Sequence, residues 1–229
     1  MTEHVFGFDE IFAGPPLMAV LRGMGLARSI SVAETAWRLG IESVEVPLQT
    51  PEDEVVLREL VARAGERGKS IGAGTIIAAE QVDRALDAGA SYLVSPGLDP
   101  ALVRVAADRG VPLLPGVATP TDVQIAVAHG LRWMKAFPAR WLGHDWFSLI
   151  RGPFPDVRFV ATGGLDAGNV GGFLDAGVRV AAVGHHVLRH PVRRDHVRLI
   201  GHAELRAGLR CGRHHRPVRI RTHHDPDKG

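Results

Sequence analysis

The sequence predicts an α/β fold of the (β/α)8 or TIM-barrel type, followed by a basic, histidine-rich carboxyl tail that is atypical of it. Three observations predict the barrel. Runs rich in Val, Ile and Leu recur every 20–27 residues, with stretches of helical pattern between them. These runs are continuously apolar rather than alternating, which suits parallel strands covered on both faces. Glycines recur in register just before the strands, where a helix closes in the left-handed conformation.

Taken in order, the strands are expected at 17–21, 43–48, 70–73, 92–95, 112–115, 133–137, 157–161 and 178–183. Helices are expected between them, for example at 51–67, with Pro51 suited to a first turn, and at 78–88. The join glycines are Gly40, Gly89, Gly110, Gly130 and Gly177. An open doubly wound sheet also alternates strands and helices. Eight units within roughly 180 residues fit barrel closure better, and no G-x-G-x-x-G follows the first strand. Residues 1–190 are therefore read as one barrel domain. Residues 191–229 are read as a partial final helix and a mobile basic tail, Val192, Val197, Ile200 and Ala203 giving that helix its apolar face.

Composition narrows the function classes. Hydrophobic residues make up 45% of the 229, enough for a sizeable core. No apolar run approaches the ~20 residues a membrane helix needs, so no membrane partner is expected. Met1-Thr2-Glu3-His4 has neither a basic nor an apolar leader region, and a cytoplasmic protein is the plain reading. Cys211 is the single cysteine, which excludes an internal disulfide framework and a multi-cysteine metal site. The net charge of +2 hides an asymmetry: residues 185–229 carry 11 Lys/Arg against four Asp/Glu, and nine of the twelve histidines. That tail reads as a solvated extension, with an anionic partner or adventitious metal binding as the functional alternative. No nucleic-acid partner, no metal and no cofactor is expected.

In such a barrel the chemistry gathers at the carboxyl ends of the strands. Those ends carry Arg22, Glu45, Thr75, Pro96, Pro115, Lys135, Thr162-Gly163-Gly164 and Gly184. Lys135 stands out because the chain has 24 arginines and only three lysines. Lys69 and Lys228 lie where a solvated lysine is ordinary; Lys135 lies inside the apolar run Trp133-Met134-Lys135-Ala136-Phe137-Pro138. Burial there favours the neutral amine, which attacks a ketone; arginine stays protonated and does not. The bland alternative is a lysine that snorkels to solvent. Glu45, in Val44-Glu45-Val46-Pro47, is a carboxylate inside an apolar strand. It reads either as a proton shuttle or as a structural partner of Arg22. Thr162-Gly163-Gly164 and Gly184 follow neighbouring strands, and glycines there let backbone N–H groups approach an anion; ordinary tight turns are the alternative.

Several short motifs, in order and at matching spacing, resemble one family. They are Ala19-Val20-Leu21-Arg22-Gly23, Glu45-Val46-Pro47-Leu48, Gly72-Ala73-Gly74-Thr75 and Ser95-Pro96-Gly97, then Pro115-Gly116-Val117, Lys135-Ala136-Phe137-Pro138, Gly152-Pro153-Phe154-Pro155 and Ala161-Thr162-Gly163-Gly164. Over about residues 15–184 the chain resembles the bacterial 2-keto-3-deoxy-6-phosphogluconate (KDPG) aldolases, a family that includes 4-hydroxy-2-oxoglutarate and 6-phosphogalactonate branches.

The resemblance implies a homotrimeric class I aldolase that splits a 2-keto-3-deoxy-6-phospho sugar acid into pyruvate and glyceraldehyde 3-phosphate. By position it implies Lys135 as the Schiff-base lysine and Glu45 as the general acid/base. Arg22 matches a carboxylate-binding arginine, Thr75 and Thr162 match residues near the pyruvyl part, and Pro96 belongs to the same strand-end set. Gly163, Gly164 and Gly184 match the phosphate loops. Two departures stand out. Gln49 occupies a position that is arginine in many members, and His185 follows Gly184 where a serine is usual. An aldolase for an unphosphorylated 2-keto acid such as 4-hydroxy-2-oxoglutarate, and a degenerate barrel acting as a binding protein, are the alternatives.

Overall fold

The expected alternation of strand and helix runs through the computed structural model, which describes residues 7–184. A short helix α1 (Phe8–Ile11) precedes β1 (Leu17–Val20), α2 (Leu26–Arg38), β2 (Ser43–Pro47) and α3 (Pro51–Gly65). Then come β3 (Ile71–Gly74), α4 (Ala79–Asp87), β4 (Tyr92–Val94) and α5 (Pro100–Asp108). The fifth strand is divided into β5 (Leu113–Leu114) and β6 (Gly116–Val117). After it follow α6 (Pro120–Ala128), β7 (Trp133–Ala136), α7 (Ala139–Ile150), β8 (Arg158–Thr162), α8 (Val170–Asp175) and β9 (Val180–Gly184).

All strand pairs are parallel, in the order β5-β4-β3-β2-β1-β9-β8-β7-β6. The two ends of that order are adjacent in the chain, so the barrel closes through Pro115, and β5 and β6 together are its fifth strand. Proline has no N–H to give to a ladder, which explains the break. Its carbonyl still accepts from the Lys135 N–H at 2.8 Å, and the next residue extends the strand beyond the limit read from sequence. Elsewhere strand and helix bounds differ from the sequence reading by one or two residues, as fraying ends do.

Local chemistry explains the punctuation. The five join glycines all have positive φ, from 66° to 93°. Helices α3, α5 and α6 each open with proline in the first turn, where a missing N–H costs nothing. Asp53 and Asp122 reach back to the N–H groups of Thr50 and Thr119 at 2.8 and 2.9 Å, satisfying donors that the helices leave free.

Two apolar layers result. The larger lies between strands and helices. The smaller fills the barrel with Met18, Tyr92, Val94, Leu114, Val160 and Val180, and Phe8 and Ile11 of α1 plug its lower end. That helix was not expected from sequence. It is fastened at Asp9, which accepts from Trp133 Nε1 at 2.9 Å and pairs with Arg158, each the first residue of its strand. Among the described residues the stopper leaves the carboxyl ends of the strands as the mouth. Among the described residues no helix is long and apolar enough to cross a membrane. The expected helix near 192–209, the tail and His185 lie outside the described residues.

Candidate active site

Strand register decides which side chains enter the barrel. Paired residues share a face, and Met18 and Val160 are among the interior apolar residues. Met18 pairs with Ser43, so Glu45, two residues on, also points inward; it lies beside Val20 and Gly72. Lys135 pairs with Val160 and Gly116 and points inward likewise. Strands β2 and β7 are four places apart in the sheet order, on opposite walls. The amine and the carboxylate thus face the interior from both sides, with only 3% and 1% of their residues exposed. Lys69, by contrast, pairs with Glu42 at 2.6 Å on the surface side of the protein.

The sequence makes room for these groups with Gly72-Ala73-Gly74. Both glycines of β3 point inward. A Cβ on Gly72 would overlap the Tyr92 ring, and one on Gly74 would overlap the Glu45 carboxylate. Tyr92 donates its hydroxyl hydrogen to the Val44 carbonyl at 2.8 Å. Burial first, and then the nearby Glu45 carboxylate, push the Tyr92 phenol well above its usual value of 10.0, so it remains a donor. Among the described residues Glu45 Oε1 is buried with no hydrogen-bond partner. Leaving a carboxylate oxygen so placed is costly, and functional sites are where such costs persist. Arg22 is not its partner: the guanidinium donates to Thr75 Oγ1 at 3.4 Å instead. Lys135 Nζ lies 5.5 Å from the centre of the Phe137 ring.

The remaining strand ends close the rim. Thr75, just after β3, has φ +59° and is the single non-glycine residue with positive φ among those described. Pro96 is half-buried, and its carbonyl occupies the space a side chain on Gly116 would need. Thr162 pairs with Ala182 and shares the inward face of Val160. Gly163 and Gly164 follow with φ of +99° and +77°. Their carbonyls are engaged, by the Arg140 N–H at 3.0 Å and by Asn169 Nδ2 at 2.9 Å. Gly184 ends β9 beside Val20. A cavity of about 560 Å³ opens at Arg22, lined also by Gly23, Leu26, Gln49 and Val55.

Two residues were missed in the sequence. Tyr92 reads as a core aromatic, which it also is. Arg140 follows the motif ending at Pro138 and packs its Cβ, Cγ and Cδ against Gly164, yet one arginine among 24 carries no signal of its own.

A parallel barrel plugged below, with a buried amine and a buried carboxylate oxygen unpartnered among the described residues on opposite walls near its mouth, defines a lyase of the class I aldolase kind. The family model described as KDPG and KHG aldolase matches residues 8–202, and the chain belongs to that family. It is 35% identical over 170 residues to a probable 2-dehydro-3-deoxy-6-phosphogalactonate aldolase of Rhizobium meliloti, covering 74% of this chain and 80% of that one. It is 39% identical over 137 residues to a 2-dehydro-3-deoxy-phosphogluconate aldolase of Pseudomonas aeruginosa, covering 59% and 61%. Its fold is similar to the crystal structure of a KDPG aldolase from Legionella pneumophila with pyruvate captured as a covalent carbinolamine. There the TM-score is 0.74 at 29% identity, over 86% of this chain and 96% of that one.

Proposed function

We propose that this aldolase cleaves a 2-keto-3-deoxy-6-phospho sugar acid to pyruvate and glyceraldehyde 3-phosphate through an imine on Lys135. The observation that carries this reading is the buried pair on opposite walls, Lys135 with its amine and Glu45 with an oxygen that nothing among the described residues satisfies. The Lys135 amine adds to the C2 ketone and water leaves, giving a protonated imine. Glu45 takes the proton of the C4 hydroxyl as the C3–C4 bond breaks. The bonding pair moves into the imine to form an enamine, and the aldehyde departs. Protonation at C3 and hydrolysis then release pyruvate and the free amine. Arg22 and Thr75 hold the C1 carboxylate with charge-assisted hydrogen bonds. Thr162 and Pro96 border the pyruvyl carbons. The N–H groups of Gly163, Gly164 and Gly184, together with His185, the next residue in the chain, take the phosphate.

The enzyme works as a homotrimer in the cytoplasm on this reading. Leu26 and Val55, 41% and 58% exposed, line one cavity and are exposed apolar side chains that a second copy would cover. Light scattering tests the trimer.

The test of the chemistry is borohydride reduction in the presence of pyruvate, with peptide mass mapping. A three-carbon adduct on Lys135 is expected, and none in Lys135→Arg, because guanidinium is no nucleophile at neutral pH. An adduct mapping to Lys69, or no adduct, overturns the proposal.

A further inference from the structure

Gln81 spends all four of its hydrogen-bonding positions within the protein. Its amide oxygen accepts from the N–H groups of Ile77 and Ala78 at 2.8 and 3.1 Å, which closes the first turn of α4. Its amide nitrogen donates to the Leu48 carbonyl at 3.0 Å and to the Thr75 carbonyl at 3.2 Å. Helix capping accounts for the two accepted bonds alone. The two donated bonds do something else: they tie the ends of β2 and β3 together, at the rim where the substrate enters.

Thr75 is the residue that needs tying. A β-branched side chain at φ +59° is in a region that only surrounding structure can enforce. The peptide after Thr75 is pinned on both sides, through its carbonyl to Gln81 and through the Ile76 N–H to the Val94 carbonyl at 3.1 Å. In this conformation the Thr75 hydroxyl meets the Arg22 guanidinium at 3.4 Å. An extended Thr75 would point its side chain elsewhere and leave Arg22 alone.

We propose that Gln81 is a positioning residue for the keto-acid site: it holds Thr75 in the left-handed conformation, and so assembles the Arg22–Thr75 pair that receives the substrate carboxylate. This rests on the reading that Arg22 and Thr75 bind that carboxylate. Gln81→Glu separates the two halves of the side chain. Glutamate still accepts from Ile77 and Ala78, and its charge suits the first turn of a helix. It cannot donate to Leu48 and Thr75, and it sets a carboxylate against their two carbonyls.

The experiment measures kcat, KM, melting temperature and the pyruvate dependence of borohydride trapping for Gln81→Glu, Thr75→Ala and the double variant. Gln81→Glu is expected to fold and to melt a few degrees below the wild type for its two lost donations, while KM and the pyruvate concentration for half-maximal trapping rise about tenfold, the loss typical of one hydrogen bond to a charged group. Thr75→Ala should behave alike, and the double variant no worse than Thr75→Ala, because both changes remove one device. An impaired Thr75→Ala beside a wild-type Gln81→Glu overturns the proposal and leaves Gln81 a helix cap. A Gln81→Glu penalty that persists in full on the Thr75→Ala background overturns it too. A wild-type Thr75→Ala defeats the carboxylate reading itself, and the proposal with it. If Gln81→Glu does not fold, Gln81→Asn, one methylene too short to span both sides, takes its place in the same comparison.

Discussion

The carboxylate of Glu45 lies where a side chain on Gly74 would have to go. The small residue on β3 is thus part of what places the carboxylate on β2. Gly74→Ala is expected to leave the barrel folded, since the colliding atoms belong to a side chain, and to lower kcat roughly 10²-fold, the lower end of what a positioned acid/base supplies. Steady-state cleavage rates with a parallel melting curve check this. Wild-type turnover in a folded variant would mean that the carboxylate has room to step aside and still work.

Glu45 itself separates imine formation from bond breaking. Glu45→Gln keeps the shape and loses proton exchange, so kcat should fall ~10²–10⁴-fold while pyruvate is still trapped on Lys135. Because Glu45 Oε1 is buried without a partner among the described residues, the apolar Glu45→Met should melt at or above the wild-type temperature. Turnover that survives in Glu45→Gln, or a clear loss of stability in Glu45→Met, would return the residue to a structural role.

Lys135 and Glu45 were legible because charged residues inside apolar strands have few places to go, and here both go inward. The sequence showed the eight-strand count because parallel barrel strands are apolar on both faces. The break at Pro115 was hidden, since a proline at an expected strand end and one inside a closing strand look the same. Helix α1 was hidden because four residues hold no period to detect; its role comes from Asp9 meeting Trp133 and Arg158 across more than a hundred residues of chain. The Arg22–Glu45 pairing allowed from sequence is replaced by Arg22–Thr75, which depends on a backbone angle that no side-chain pattern announces. Gln81 was hidden, because what sets it apart from any polar helix residue is a pair of carbonyl partners at the ends of two strands.

Helix α6 gives the fold a pH-sensitive fastening. Burial by itself would raise the Asp122 carboxyl, but hydrogen bonds from the Ala118 N–H and from Thr119 outweigh it and hold the group below its ordinary 3.8. A lowered folded value means that ionised Asp122 contributes stability in full above the unfolded value. That contribution is lost as pH falls through the folded value. Asp122→Ala should therefore cost about 1 kcal/mol at neutral pH, the usual cost of a lost helix cap, and the gap to wild type should close in the acid range below 3.8. Urea midpoints of the two proteins across pH measure it. A gap that persists at low pH would assign the loss to packing.

Phosphate preference is expected to run through Arg140. Its stem lies along Gly164 and its N–H holds the Gly163 carbonyl at 3.0 Å. With the Gly164 carbonyl held by Asn169, both glycine carbonyls are engaged and both glycine N–H groups have no partner among the described residues. Arg140 also has no ion pair among the described residues. A cation beside free N–H donors is a place for an anion, and arginine suits phosphate because its donors match two oxygens at once. Arg140→Ala should raise KM for a phosphorylated substrate up to about tenfold, less where solvent screens the exposed guanidinium. It should leave kcat/KM for the unphosphorylated acid near the wild-type value. The paired comparison is the check, repeated at high salt, where the wild-type advantage for phosphate should shrink and the variant's should change little. Equal losses on both substrates would show that Arg140 serves the entry of α7 rather than the phosphate. No loss on either would show that the phosphate is held without it.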